Sequence, residues 1–235
     1  MTVSTNLRVP LSVEDVRRSW GSRGARLASP RMLALVAGLL ERAETENWIQ
    51  PAVSFRVWPI IEQGPGWMEL SNGSRLQARL LSHYLRGASH LALGICTVGA
   101  ALENRVSEWF ALSERLRGVL LDEIGTLVLY RLGDQLETLL QKEAEILRLE
   151  ASGVLNPGED GFDLSEQAKV AQLAGGDRIG VSVTPTGMLI PRKSLSLVMG
   201  FGAHMQKWGR GERCARCGAR DRCPHRQHVL AGASV

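Results

Sequence analysis

The sequence predicts an α+β fold, and three observations carry that prediction. VSFRVWPI (Val53 to Ile60) alternates like a strand, and HLALGICTV (His90 to Val98) is a continuous apolar run of the kind found in a doubly covered central strand. From Ala100 the pattern is helical almost to Leu149. After Gly175-Gly176 two more strand-like runs follow, RIGVSVT and SLSLVMGF. Helices, strands, long helices and strands again do not make the strict alternation of a doubly wound sheet.

Each element has a local reason. Ser12 is placed to cap a short helix from Val13, with Glu14 and Asp15 in the first turn, where the helix dipole favours acids. Pro30 suits the first position of a second helix, whose Met32, Leu35, Val36, Leu39 and Leu40 repeat at helical spacing. The first strand is expected to stop at Pro59, and Gly99 to turn the chain into the helical region. There Leu116, Leu120, Ile124, Leu127, Leu132, Leu136 and Leu140 form one apolar stripe. Gly125 and Gly133 weaken such a helix, so close approach of another element is their expected return. Pro157-Gly158 marks a loop, and Asp163 with Glu166 forms an acidic capping box before LSEQAKVAQLA. Ser194 and Ser196 read as the polar, outward side of the last strand, with Arg192-Lys193 in the turn before it.

Composition narrows the class. The chain has 235 residues, 44% hydrophobic and 22% charged, enough for one large core or two small ones. No apolar run reaches the roughly 20 residues that span a bilayer, and the first residues lack a signal pattern, so a cytoplasmic protein without a membrane partner is expected. No nucleophile elbow, phosphate loop or paired-histidine helix points to hydrolysis. Cys96, inside the most apolar run, reads as a buried, inert thiol, and His83 and His90 have no partner at ligand spacing.

The tail differs from the rest. Three of the four cysteines stand in CARCGARDRCPHR, Cys214 to Arg226, among Arg210, Arg213, Arg216, Arg220 and Arg222. In a reducing compartment such spacing favours thiolate chemistry over a disulfide. Cys214, Cys217 and Cys223 with His225 or His228 offer four ligands to zinc, although the five-residue gap before Cys223 is short for a zinc finger. The three thiolates also approach an iron–sulfur set, and Cys223-Pro224 echoes the end of some ferredoxin motifs. Reactive thiols without a metal are the third reading. Nucleic acid is disfavoured as a partner, because the basic tail carries no aromatics beyond Trp208 and no recognised motif frames its cysteines.

One stretch is more specific. Pro157-Gly158, the helical Leu164 to Ala174, Gly180-Val181-Ser182-Val183-Thr184, and Met188 through Pro191 to Ser194-Leu195-Ser196 follow in a set order. Leu155 to Gly202 thereby resembles the core of the activation domain of cobalamin-dependent methionine synthase. The resemblance implies a twisted, mainly antiparallel sheet flanked by long helices over residues 1–205; the basic, Cys-rich tail over 206–235, read as metal-binding from its own residues, has no counterpart in methionine synthase. It also implies reductive remethylation of cob(II)alamin with S-adenosylmethionine. The corrinoid would be presented by a methyltransferase partner, and the electron would come from a flavodoxin- or ferredoxin-like donor. Pro157, Gly158, Gly187, Met188, Pro191, Arg192, Lys193 and Ser194 are the ligand-binding positions it implies. The family's ligand-gripping arginine falls at Val154, and its two tyrosines at Glu159 and Gly187. Arg192, Lys193 or Arg178 is then the expected source of positive charge. An accessory protein that docks on or reduces the corrinoid without transferring a methyl group is the alternative.

Overall fold

The computed structural model describes residues 1–5, 7–21, 28–159, 161–217 and 220–221. A short strand β1 (Thr2–Ser4) leads to helices α1 (Val13–Ser19) and α2 (Pro30–Thr45). Strands β2 (Ala52–Gly64), β3 (Trp67–Leu70) and β4 (Arg75–Gln77) precede α3 (Arg79–Tyr84) and β5 (Ala88–Thr97). Helices α4 (Ala100–Ala111) and α5 (Arg115–Ile146) lead to β6 (Glu150–Ala151) and α6 (Gln167–Ala174). A small hairpin of β7 (Ser182–Val183) and β8 (Leu189–Ile190), then β9 (Ser194–Gly202) and α7 (Arg210–Arg216), complete the described chain.

The main sheet has seven strands in the order β4-β3-β2-β5-β9-β6, with β1 also paired to β2. Every pairing is antiparallel. Strand β5 lies in the middle, and its alternating side chains serve two cores. Ala92 and Cys96 face the cluster built by α1, α2, α4 and α5. Leu91, Leu93 and Ile95 face a second cluster with Leu81, Val170 and Leu173 from α3 and α6. Strand β9 divides likewise, sending Leu197, Met199 and Phe201 to the first cluster and Val198 to the second. Both faces of the sheet centre are therefore covered, as the apolar run at His90 to Val98 predicts.

Caps and glycines explain how the layers close. The Ser12 hydroxyl accepts from the Asp15 N–H while the Asp15 carboxylate accepts from the Ser12 N–H, a complete capping box for α1. A Cβ on Gly125 would stand 2.7 Å from Leu102 Cδ2, and one on Gly133 would stand 3.0 Å from Leu195 Cδ2. These two glycines let α4 and β9 approach α5 closely. At the α6 end, the Ser54 hydroxyl and the Trp58 indole donate to the carbonyls of Ala174 and Leu173, pinning the helix to β2.

Six expectations need correction. Strand β2 runs through Pro59 to Gly64, because Pro59 stands where pairing with β5 ends and pairing with β3 begins, a place where a missing N–H disturbs neither ladder. The region from Ala100 breaks at Leu112 to Glu114 into two helices, with Ser113 at positive φ. Leu116, placed on the stripe, is exposed, since the N-terminal turn of α5 extends beyond its neighbours. RIGVSVT folds first as a 3₁₀ turn (Gly176–Ile179), and only Ser182–Val183 pair as a strand. Ser194 and Ser196 are buried, because hydrogen bonds satisfy them: Ser194 donates to the Pro191 carbonyl, and the Ser196 hydroxyl accepts from Gln167 Nε2. Glu166, moreover, receives the Gln77 N–H and Lys169 rather than closing a capping box, while Asp163 does cap the turn at Ser165.

Candidate functional site

The loop after β6 is held on three sides. Leu155 exchanges both backbone hydrogen bonds with Val198, at 2.9 and 2.8 Å, and Asn156 Nδ2 donates to the Ser196 carbonyl at 2.6 Å. The Gly158 N–H donates to the Phe162 carbonyl, and the Phe162 side chain is fully buried. Gly158 has φ +95°, so the turn requires glycine for its backbone rather than for space. The Glu159 carboxylate folds back to accept the Asn156 N–H at 3.1 Å.

The tail provides the facing wall. The Trp208 indole is buried and donates to the Val154 carbonyl at 2.9 Å. A Cβ on Gly153 would lie 2.4 Å from the indole, so only glycine admits the ring. Gly209 then donates to the Glu212 carboxylate and α7 begins, with Cys217 bridging to Glu159 at its end.

Between loop, helix and tail lies a cleft of about 290 Å³. Its floor is Leu195 and Leu197 of β9, and α5 contributes Tyr130, Gly133, Asp134 and Glu137. Asn156 to Glu159 form the loop side; Arg213, Cys214 and Cys217 form the tail side. Most of its surface is apolar. Burial pushes the Glu137 carboxyl up from its ordinary range, and the nearby Arg213 cation opposes that shift. Across the loop a broader, more open cavity of about 1050 Å³ runs past Gly66, Gln77, Gly158, Phe162, Cys217 and Arg220. Gly158, Glu159 and Cys217 line both.

The predicted positions separate into groups. Pro157, Gly158, Cys214 and Cys217 meet at the cleft. Gly187, Met188, Pro191, Arg192, Lys193 and Ser194 line neither cavity. Gly187 turns the β7–β8 hairpin against Leu164, Met188 is exposed beside it, and Pro191 is buried at the start of β9. The Arg192 guanidinium pairs with Glu103 at 2.6 Å; Lys193 Nζ reaches Asp122 Oδ2 at 2.9 Å and Thr126 at 2.8 Å; Arg178 stands beside Asp177. Val154 is buried in the first core cluster, and its carbonyl accepts from the Trp208 indole. Cys223 and His225 lie outside the described residues, and among the described residues no three histidine, cysteine or acidic side chains group as metal ligands. Cys96 is fully buried, which pushes its thiol up to about 12.

Sequence reasoning passed over Tyr130, Asp134, Glu137 and Asn156. The available signal was YRLGDQLE, where Gly133 and two acids three residues apart interrupt a leucine-rich helix. Among the described residues no helix is long and apolar enough to cross a membrane.

No family model and no curated protein matches the chain by sequence. A crystal structure of the MetH reactivation domain bound to AdoHcy matches it in three dimensions, with TM-score 0.61 over 99% of this chain and 90% of that one, at 13% identity. The chain thus has the fold of the MetH reactivation domain, a curled antiparallel sheet with packed helices.

Proposed function

We propose that this protein reactivates a corrinoid held by a methyltransferase partner, using S-adenosylmethionine as methyl donor. The cleft beside Pro157 and Gly158 is the observation that carries this reading. An apolar floor with polar groups at its rim suits a nucleoside joined to a charged amino-acid end. The Gly158 backbone allows close approach of a ligand, and the fold likeness to a domain seen with AdoHcy supports the same occupant. In the proposed reaction one electron reduces cob(II)alamin to cob(I)alamin. The cobalt electron pair then takes the sulfonium methyl, giving methylcobalamin and S-adenosylhomocysteine. The chain's own residues bind and orient the donor; a flavodoxin- or ferredoxin-like protein supplies the electron.

Calorimetric titration of S-adenosylmethionine into the full chain tests this reading, followed by methylcobalamin formation on a corrinoid protein given a reductant. Binding and accelerated methylation are expected. Absence of both, with binding to the corrinoid protein retained, selects an accessory that docks or reduces without methyl transfer. A buried core valine, Val154, stands where the family has its ligand-gripping arginine, which favours that second reading. The proposed zinc or iron–sulfur site would use Cys214, Cys217, Cys223 and His225, since two cysteines alone are too few for a four-coordinate centre. Iron, sulfide and zinc analysis of the purified chain decides among cluster, zinc and free thiols.

A further inference from the structure

We propose that Arg213, on the tail helix, is the residue that recognises the carboxylate of the ligand in the Pro157–Gly158 cleft. The inference rests on the functional reading above and goes beyond it, because it makes the tail part of the ligand site.

Charge placement carries the argument. Among the described residues lining the cleft, Arg213 is the one basic side chain, and Asp134, Glu137 and Glu159 are acidic. Arg192 and Lys193 are held by Glu103 and Asp122, Arg178 stands beside Asp177, and none of the three lines the cleft. Arg213 also borders the small gap formed by Glu137, Val154, Trp208 and Gly209, so it spans from the tail's anchor to the ligand side. That anchor is firm: Trp208 fills the space over Gly153 and is hydrogen-bonded to Val154. A guanidinium on a fixed element presents a planar fork to a carboxylate, the geometry of a bidentate pair. The surrounding acids suit the positive remainder of the molecule, since S-adenosylmethionine carries an ammonium and a sulfonium besides its carboxylate.

The test titrates the full chain with S-adenosylmethionine and with its decarboxylated analogue, which differs only by the missing carboxylate. The wild-type chain should prefer the carboxylated ligand by about 10- to 100-fold, the range for a hydrogen-bonded charge pair. Arg213→Met should reduce that preference to within about threefold while leaving affinity for the analogue within about threefold, and Arg213→Lys should keep part of it. A full preference in Arg213→Met, or none in the wild-type chain, overturns the assignment while binding itself upholds the functional reading. Failure of the wild-type chain to bind either molecule overturns both. Should Arg213→Met lose both ligands, Arg213→Lys decides: a retained preference supports the assignment and an absent one overturns it.

Discussion

The centre of the sheet and the tail-side cleft are built from different materials. Along β5, every side chain from Leu91 to Cys96 is buried, and a Cβ on Gly94 would stand 3.1 Å from Leu136, so the layers meet carbon to carbon. At the cleft, a positive-φ glycine, three acids, an arginine and two half-buried thiols surround a space the chain leaves open. Dense apolar packing resists any change of volume, whereas an open polar rim can be remodelled by a ligand. The comparison teaches that dense apolar packing resides in the centre and the polar, titratable groups at the margin, joined by α5, which contributes Leu136 to one and Glu137 to the other.

The two thiol environments give the largest contrast. Raising the Cys96 thiol from 9.0 to about 12 lowers its thiolate fraction at neutral pH by about a thousandfold, before burial blocks access. With any metal first stripped by a chelator, iodoacetamide should therefore label Cys214 and Cys217 in the folded protein and reach Cys96 only after denaturation, as read by peptide mass spectrometry. Early labelling of Cys96 would break the comparison at its centre.

Leu136→Ala should cost about 2–5 kcal/mol in urea unfolding, the loss expected for a fully buried leucine that cannot be replaced by collapse. Gly153→Ala drives a methyl into the rigid Trp208 ring and should cost about 1–3 kcal/mol. Its sharper signature is local: faster amide exchange over residues 206–217 with β5 still protected. Uniform exchange across both regions would mean that tail and centre open as one unit.

The smallest effect belongs to Glu137. Its pKa is raised in the folded chain, so the neutral carboxyl stabilises the fold below the unfolded pKa, and that contribution is lost as pH rises through the folded value. Glu137→Gln should thus give a small rise in melting temperature at pH 7 and almost none at pH 3. A fall at pH 7 would show that the attraction to Arg213 outweighs the cost of burial.

Most of the fold was legible from pattern. The β5 run, the Ser12 cap, Pro30 at a helix start and the close-approach glycines of α5 each follow from local chemistry, and the structure bears them out. Less of the candidate site was legible. Pro157-Gly158 and the Cys214/Cys217 pair stood out as motifs, but nothing in their spacing says that they meet, since Gly158 and Cys214 stand 56 positions apart with α6 and strands β7 to β9 between them. Ser194 and Ser196 were misplaced for a related reason: alternation gives the face of a strand, but only a neighbour such as Gln167 turns a polar face into a buried one.

By itself the sequence determined the order of helices and strands, the apolar strand at the centre, and the places where only glycine or a capping hydroxyl fits, because these depend on residues near one another in the chain. Tertiary structure alone decided that Trp208 seats over Gly153, that the tail helix faces α5 across the Pro157 loop, and which cation stands at the cleft. Those contacts join residues far apart in sequence, and their partners are chosen by shape and charge after the layers have packed.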